Sequence, residues 1–131
     1  MSRTASSGIG SFSSICVDMH TKDARAQGES EQRLYAVAVW EDTPFFTERE
    51  RAALAWTEAV THVSDTHVPD KFYEEARRHF SEKELVDLTM AAIAINGWNR
   101  LSVSFRKEAG TYQPAAAPGS GKAVGAPLPK T

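Results

Sequence analysis

The sequence predicts an all-α fold for the middle of this 131-residue chain. Three observations support this prediction. Residues that start and end helices recur throughout residues 13–106, and the alternation of apolar and polar residues that marks a half-buried strand is absent from them. Two capping boxes also precede apolar helical patterns. We therefore expect a domain built of helices alone.

The two ends of the chain differ in composition from the middle. Residues 1–12 are small and polar, and residues 107–131 hold four of the six prolines and four of the eight glycines. Such segments bury too little apolar surface to offset the entropy of ordering them. We expect a disordered segment over residues 1–12, one helical domain over residues 13–106 and a disordered tail over residues 107–131.

The first two helices are predicted from their boundary residues. The first helix is expected to start at Ser13 or Ser14 and to end before Gly28, because glycine suits the left-handed position that follows a helix. Ser30 is the predicted cap of a second helix, which reaches about Trp40.

The third and fourth helices have equally clear starts. Thr47 and Glu50 form a capping box, in which each side chain satisfies the other residue's amide, and the helix that follows is expected to end near His62. Pro69 suits the first turn of a fourth helix, which is expected to reach about His79.

The last helix is predicted over residues 82–105, behind a second capping box at Ser81 and Glu84. It is nearly all apolar over residues 85–95. A helix that is apolar all round is buried on every side. Because the domain is small, we expect one of those sides to face another subunit.

Polar residues interrupt this apolar pattern near its end. Asn96 and Asn99 are expected to satisfy carbonyl groups at the end of the helix. Two roles stay open for Arg100: it satisfies carbonyl groups at the helix end, or it contributes to a pocket or a subunit contact.

A weak internal repeat predicts repeated helical units. The pattern Asp-x-His-x-x-Asp occurs at residues 18–23 and again at residues 65–70. The first copy is followed directly by Ala-Arg, the second by Ala-Arg after an insertion, and a capped apolar helix comes after each. A full helix, residues 48–62, precedes the second copy, whereas small polar residues precede the first. The helix before the first copy is therefore expected to be missing.

Composition excludes several classes of partner. With 15 basic and 17 acidic residues, the net charge of −2 favours neither nucleic acid nor an anionic membrane. One cysteine excludes a disulfide framework and a cysteine-based structural zinc site, and suits a reducing compartment. The charge-free stretch at residues 88–99 is too short to cross a bilayer, and the amino terminus lacks a secretory signal. We expect a soluble cytoplasmic protein.

A candidate chemical site lies in the first helix. Ser13, Cys16 and His20 have the spacing of one helical stripe, with the thiol and the imidazole one turn apart. The first turn of a helix and a nearby histidine both favour the reactive thiolate. Asp23 lies three residues further on and is expected to orient the ring, which would complete a cysteine–histidine unit.

A structural explanation is open for the same residues. A single cysteine often packs as a small apolar side chain, and a histidine four residues later occurs by chance in many helices. The other histidines, at positions 62, 67 and 79, have no recognised spacing of metal ligands. We expect neither a metal nor a cofactor.

Four segments together resemble a known family. They are CVDMHTKDAR at residues 16–25, RLY at 33–35 with Trp40, FTERERAALAW at 46–56, and INGWNRL at 95–101. These segments resemble the carboxymuconolactone decarboxylase family and, more closely, its AhpD-like alkylhydroperoxidase branch. The resemblance spans nearly all of the predicted helical domain.

The resemblance implies an all-α homo-oligomer of repeated helical units, commonly a trimer or hexamer. The peroxidase branch reduces hydroperoxides through a disulfide, with a Cys-x-x-Cys-x-x-x-His motif and an upstream glutamate. In this chain the second cysteine corresponds to Cys16, the histidine to His20 and the first cysteine to Ser13. The glutamate would fall at or before Met1. Because Ser13 has no sulfur, the disulfide of that cycle cannot form within this motif.

Three functions follow as hypotheses. The first is reduction of a small-molecule peroxide by Cys16 and His20, with an external thiol as reductant. The second is lactone decarboxylation, in which His20 and Glu58 supply general acid–base catalysis without cysteine. The third is a non-catalytic helical oligomer, either a degenerate relative or a truncated gene product.

Overall fold

The computed structural model describes residues 14–115, with side chains from Cys16 onward. Those residues form six α-helices and one 3-10 helix and contain no β-strand, so the predicted all-α class is confirmed. In chain order the helices are α1 (Ser14–Ala26), α2 (Glu31–Ala36), the 3-10 helix (Val37–Asp42), α3 (Glu48–Thr61), α4 (Val63–Thr66), α5 (Asp70–His79) and α6 (Glu82–Ser104).

The turn between α1 and α2 forms as the sequence predicts. Gly28 follows the end of α1 with φ of 92°, a left-handed conformation that costs glycine little. Ser30 then caps α2, and its hydroxyl accepts a hydrogen bond from the Arg33 amide at 3.3 Å.

The second predicted helix is divided in two. α2 gives way to the 3-10 helix at Val37, and Val39 departs from helical geometry with φ of −130° and ψ of 35°. The side chain of Trp40 is buried at this point. Arg51 of α3 donates hydrogen bonds to the carbonyls of Trp40 and Thr43 at 3.1 and 3.0 Å. The break therefore depends on a contact with a later helix, which local helix signals do not contain.

α3 is the central helix of the fold and packs against both α5 and α6. It opens with the predicted capping box of Thr47 and Glu50. Ala52 and Ala59 of α3 and Ala76 of α5 are all buried, and Ala76 has no exposed surface. Small side chains at these positions allow the helix axes to approach closely.

The two copies of the repeated pattern differ in backbone conformation. Residues 18–23 lie within α1, whereas residues 65–70 span the end of α4 and the start of α5. His67 and Val68 are both left-handed, with φ of 54° and 51°. Pro69 disfavours helical geometry for the residue before it, so the second copy cannot continue as one helix.

The last two helices follow their predicted boundaries closely. Pro69 lies at the cap position of α5, one residue before the predicted first turn, and α5 ends at His79. Ser81 and Glu84 form the predicted capping box of α6, which ends just before Phe105.

The segment after α6 contacts α1 at Gly110 and Tyr112. The Gly110 amide donates to the Asp18 carboxylate at 3.1 Å, and the Tyr112 hydroxyl donates to Asp23 at 2.8 Å. The first part of the tail that was predicted to be disordered is therefore held by polar side chains of α1. Composition did not reveal these partners because it contains no information about tertiary contacts.

Candidate functional site

A cavity of about 490 Å³ lies between α1, α2, the 3-10 helix, α3 and α6. Cys16 and His20 of α1 both line it. They are four residues apart in one helix and therefore share a face, as the sequence predicts. The fold thus directs the thiol and the imidazole toward the same space.

The two residues differ in exposure. Cys16 is the third residue of α1 and is 8% exposed, whereas His20 lies at the protein surface. Because His20 both lines the cavity and is exposed, the cavity opens to solvent beside the imidazole. Cys16 is therefore more shielded than His20, although both line the same cavity.

Most of the cavity wall is apolar. Leu34 of α2, Val37 of the 3-10 helix and Ile95 of α6 face α1 across the cavity. Contact with such side chains favours an apolar ligand, because binding removes hydrocarbon surface from water.

Polar side chains of α3 and α6 form the remaining part of the wall. Asn96 of α6 donates from Nδ2 to Thr61 Oγ1 at 2.8 Å and to the Ala92 carbonyl at 2.9 Å. Thr61 in turn donates to the Thr57 carbonyl at 2.7 Å. Asn99 also lines the cavity, and its Oδ1 is buried without a hydrogen-bond partner among the described residues.

Sequence reasoning did not place these polar residues in the site. Asn96 and Asn99 were expected at a helix end, yet they lie more than one turn before Ser104, where α6 ends. The available signal was their spacing of three residues inside an apolar helix, together with Thr57 and Thr61 four residues apart in α3. Each pair shares one helix face, but nothing in the sequence shows that the two faces meet.

Asp23 has a different partner from the one predicted. Its carboxylate accepts a hydrogen bond from the Tyr112 hydroxyl, and the described structure records none between Asp23 and His20. Asp23 is not among the residues recorded as lining the cavity. This carboxylate contacts the segment after α6, and orientation of the imidazole by Asp23 stays a prediction.

The other predicted supporting residues do not meet Cys16 in this cavity. Ser13 lies outside the described residues. Glu58 lines a separate cavity of about 340 Å³ together with His62 and Asp65. The described structure therefore assigns His20 and Glu58 to different cavities.

Asp18 and Lys22 of α1 are not part of the cavity wall. Asp18, two positions after Cys16, is turned to the opposite side of the helix and pairs with Lys22 at 2.9 Å. The Lys22 ammonium and the Gly110 amide lower the pKa of the Asp18 carboxyl. These charges connect α1 to the segment after α6 rather than to the thiol.

Residues 14–115 contain no group of three or more histidine, cysteine, aspartate or glutamate side chains placed to hold a metal ion. No helix within the same residues combines the length and apolar character needed to span a membrane.

Comparison with known proteins places the chain in a family. The model of the carboxymuconolactone decarboxylase family matches residues 13–59. The uncharacterized protein YdfG of Bacillus subtilis is 41% identical over 95 residues, which are 72% of this chain and 65% of YdfG. The uncharacterized protein YnjA of Escherichia coli is 33% identical over 91 residues, which are 70% of this chain and 47% of YnjA. The chain thus spans 65% and 47% of the length of these curated relatives.

A solved structure shares the fold. It is the crystal structure of ATU0492 from Agrobacterium tumefaciens, a protein of unknown function described as a candidate antioxidant defence protein AhpD. The two chains superpose with a TM-score of 0.73 at 46% identity, over 75% of this chain and 67% of that one. From the residues, the fold and these matches together, the chain belongs to the carboxymuconolactone decarboxylase family and, within it, to the AhpD-like branch.

Proposed function

We propose that the protein reduces organic hydroperoxides at the expense of a thiol, with Cys16 as nucleophile and His20 as proton donor and acceptor. The observation that carries this proposal is that both side chains line one cavity, which reaches solvent at His20. A histidine one helical turn from a thiol can accept its proton and so generate the thiolate that attacks. The description of ATU0492 as a candidate antioxidant protein supports the same chemistry.

The first step forms a sulfenic acid. His20 takes the thiol proton, and the Cys16 thiolate attacks the terminal oxygen of the hydroperoxide. An S–O bond forms as the O–O bond breaks, and the departing alkoxide receives a proton from His20. The peroxide is thereby reduced to an alcohol, and Cys16 is oxidised by two electrons.

The following steps restore the thiol. An external thiol attacks the sulfenic sulfur, which forms a mixed disulfide and releases water. A second external thiol attacks this disulfide, which returns Cys16 to the thiol and releases an oxidised disulfide. The reductant is a thiol from solution, because Ser13 has no sulfur with which to form a disulfide to Cys16. We therefore place the protein in the cytoplasm, where thiols are kept reduced.

The cavity favours an alkyl or aryl hydroperoxide over hydrogen peroxide. Leu34, Val37 and Ile95 offer apolar contact for the organic group, and His20 leaves an opening for its entry. Each buried methylene contributes about 0.8 kcal/mol to binding at most. Cumene hydroperoxide should accordingly react faster than hydrogen peroxide.

The assembled protein is proposed to be a homo-oligomer, a trimer or a hexamer. Val86, Met90, Ile93 and Leu101 are exposed and lie on the face of α6 opposite buried Ala92. Their spacing makes an apolar stripe, interrupted at Gly97, which a second copy of the chain could cover.

The decisive experiment measures peroxide consumption with cumene hydroperoxide and dithiothreitol. Replacing Cys16→Ser should reduce the enzyme-dependent rate to the background of dithiothreitol alone. Replacing His20→Asn should lower the rate by about a hundredfold, a typical loss for a general acid–base group. His67→Asn is the matched control, because His67 is exposed and is not recorded as lining either cavity described above.

Two results would contradict the proposal. Equal rates for the native protein and Cys16→Ser would remove the peroxidase function and leave a helical protein without this chemistry. Lactone decarboxylation that survives Cys16→Ser but not His20→Asn would assign the site to acid–base catalysis instead.

A further inference from the structure

The Cys16 cavity carries polar groups that the proposed thiol chemistry leaves unused. Attack on a peroxide needs Cys16 and His20, whereas side chains of α3 and α6 form another part of the wall. The volume of about 490 Å³ falls within the range of roughly 300–1,000 Å³ that is typical of sites for a whole organic molecule. The part of a substrate beyond its peroxide group can therefore extend to this polar part of the wall.

Some of the polar side chains that line the cavity are occupied by bonds within the protein. Asn96 Nδ2 donates to Thr61 Oγ1 and to a backbone carbonyl. Thr61 in turn donates to a carbonyl of its own helix, and the Thr21 hydroxyl donates to the Val17 carbonyl at 2.7 Å. The protons of these groups are therefore not available to a ligand.

Two donors in the wall have no partner among the described residues. The Thr57 hydroxyl of α3 makes no hydrogen bond there, although the Thr57 backbone carbonyl accepts one. The Asn99 side chain of α6 makes none either. Thr57 Oγ1 and Asn99 Nδ2 are both accessible, whereas Asn99 Oδ1 is enclosed and out of reach of a ligand. The wall thus presents one hydroxyl and one amide nitrogen that can donate to a ligand.

The stability of the fold does not explain an asparagine at position 99. The enclosed Oδ1 lacks a donor within the described part of the chain, and an unpaired buried oxygen destabilises the folded state. A leucine of similar size would avoid that loss. Residues that lower stability in this way are expected at functional sites. The asparagine therefore indicates a use for its accessible Nδ2.

Thr57 assigns the pair of donors to the Cys16 cavity. Asn99 also borders a smaller cavity, of about 250 Å³, at the end of α3. Thr57 lines the Cys16 cavity and is not recorded at the smaller one. A ligand that uses both donors therefore lies in the same cavity as the thiol.

The charge of the wall selects an uncharged acceptor. Among the described residues that line the cavity there is no lysine, arginine, aspartate or glutamate. A carboxylate drawn against this wall would lose its hydration without a permanent cation to replace it. A carbonyl group loses less, and its oxygen has two lone pairs that can accept from Thr57 and Asn99 together.

We propose that the substrate of the Cys16 site is an organic hydroperoxide that also carries an uncharged carbonyl group, such as a ketone or an ester. The hydroperoxide end rests on the proposed peroxidase function and lies at Cys16. The carbonyl oxygen accepts from the Thr57 hydroxyl and from Asn99 Nδ2, and the hydrocarbon between the two ends contacts the apolar wall. Thr57 and Asn99 select the substrate and take no part in the thiol chemistry.

The test uses three derivatives of cumyl alcohol that carry isopropyl, acetyl or carboxylate at the para position. These groups are similar in size, and the alcohols are products of the proposed reduction, so they bind without oxidising Cys16. Calorimetry with the full native chain should show about tenfold tighter binding of the acetyl than of the isopropyl compound, and weaker binding of the carboxylate than of the acetyl compound. Equal affinity for the acetyl and isopropyl compounds, tightest binding of the carboxylate, or no binding at millimolar concentration would overturn the proposal.

Thr57→Val and Asn99→Leu each remove one donor with little change in size. Either variant should reduce the advantage of the acetyl compound and leave the affinity for the isopropyl compound unchanged, which also shows that the cavity is intact. The double variant should bind the two compounds equally. Thr111→Val, at an exposed threonine outside the cavity, is the matched control. If the acetyl advantage survives in the double variant, the role assigned to the two donors is wrong.

Turnover separates this proposal from the peroxidase function. The three matching hydroperoxides are reduced with dithiothreitol, and each rate is divided by the rate with dithiothreitol alone to remove the electronic effect of the para group. The acetyl hydroperoxide should have the highest kcat/KM, and its advantage should disappear in the double variant. Acetyl preference in binding without any turnover would contradict the peroxidase function and leave carbonyl recognition in place. Turnover without acetyl preference would contradict carbonyl recognition and leave the peroxidase function in place.

Discussion

Asn96 on α6 and Thr61 on α3 are joined by a side-chain hydrogen bond of 2.8 Å at the polar wall of the Cys16 cavity. The bond connects residues 35 positions apart in sequence. It joins the two longest helices of the described structure at the site, between side chains that are both partly buried. The relative position of α3 and α6 therefore depends on this polar contact as well as on apolar packing.

Replacing Asn96→Leu should destabilise the protein by about 1–2 kcal/mol, because Thr61 Oγ1 loses its donor and two hydrogen bonds disappear. Unfolding in urea measures the change. The double variant with Thr61→Val should show a coupling energy of about 1 kcal/mol between the two residues.

Asn99→Leu is the matched control, on the same helix and in the same wall. Its Oδ1 makes no hydrogen bond in the described structure, so the substitution should be neutral or stabilising. If Asn99→Leu destabilises the protein as much as Asn96→Leu does, the loss is one of packing and the hydrogen bond is not its cause.

Tyr112→Phe should release the segment after α6 from α1. The hydroxyl of Tyr112 donates to Asp23, and removing it leaves that carboxylate without this contact. Amide hydrogen exchange at Gly110 and its neighbours should become faster, while exchange within α3 should stay unchanged. Tyr73→Phe, at an exposed ring on α5, is the control and should leave the segment protected.

The same contact predicts a dependence on alkaline pH. The Asp23 carboxylate raises the pKa of Tyr112 above the usual 10.0, because it stabilises the protonated phenol. Because the pKa is raised, the stability contributed by the Tyr112–Asp23 hydrogen bond is fully present below pH 10. It is lost as the pH rises through the raised pKa of Tyr112. In an ultraviolet titration, Tyr112 should ionise at a lower pH in Asp23→Asn than in the native protein.

Glu50→Gln should weaken the protein at neutral pH and reduce its sensitivity to acid. The Arg33 guanidinium, with help from the Thr47 amide, lowers the pKa of Glu50 from 4.5 to about 2. A lowered pKa gives stability above pH 4.5 that is lost as the pH falls toward 2. Because both side chains are partly exposed, solvent screening limits the effect to about 1 kcal/mol.

Glutamine at position 50 isolates the charge, because it can still complete the capping box. The free energy of unfolding of Glu50→Gln should therefore converge with that of the native protein between pH 4.5 and pH 2. Glu48→Gln, in the same first turn but without a recorded ion pair, should change acid stability less. If the free energies of unfolding of the native and Glu50→Gln proteins fall in parallel as the pH is lowered, the stabilising role assigned to the Arg33–Glu50 ion pair is wrong.

Ile93→Lys should dissociate the proposed homo-oligomer. Ile93 is 52% exposed at the centre of the apolar stripe on α6, and a buried lysine there would lack a partner. Sedimentation velocity should show smaller species for this variant than for the native protein. Ser64→Lys on exposed α4 is the control. A native protein that sediments as a single chain would remove the proposed assembly.

Local signals predicted most of the helices. The capping boxes at Thr47 and Ser81 are formed as expected, because each depends only on residues within three positions of each other. The break at Val39 was not predicted, since it accompanies the packing of Trp40 and the reach of Arg51 from a later helix. Helix boundaries were thus predictable wherever the stabilising partner was near in sequence.

The features of the candidate site also fall into two groups: those that follow from spacing within one helix and those that follow from tertiary packing. The shared face of Cys16 and His20 follows from a spacing of four residues in one helix, so the sequence by itself determined it. The polar wall at Asn96, the pairing of Asp23 with Tyr112 and the separation of Glu58 from His20 were decided by tertiary structure alone. Periodicity fixes which side chains share a face of one helix, but the packing of side chains distant in sequence fixes which faces meet.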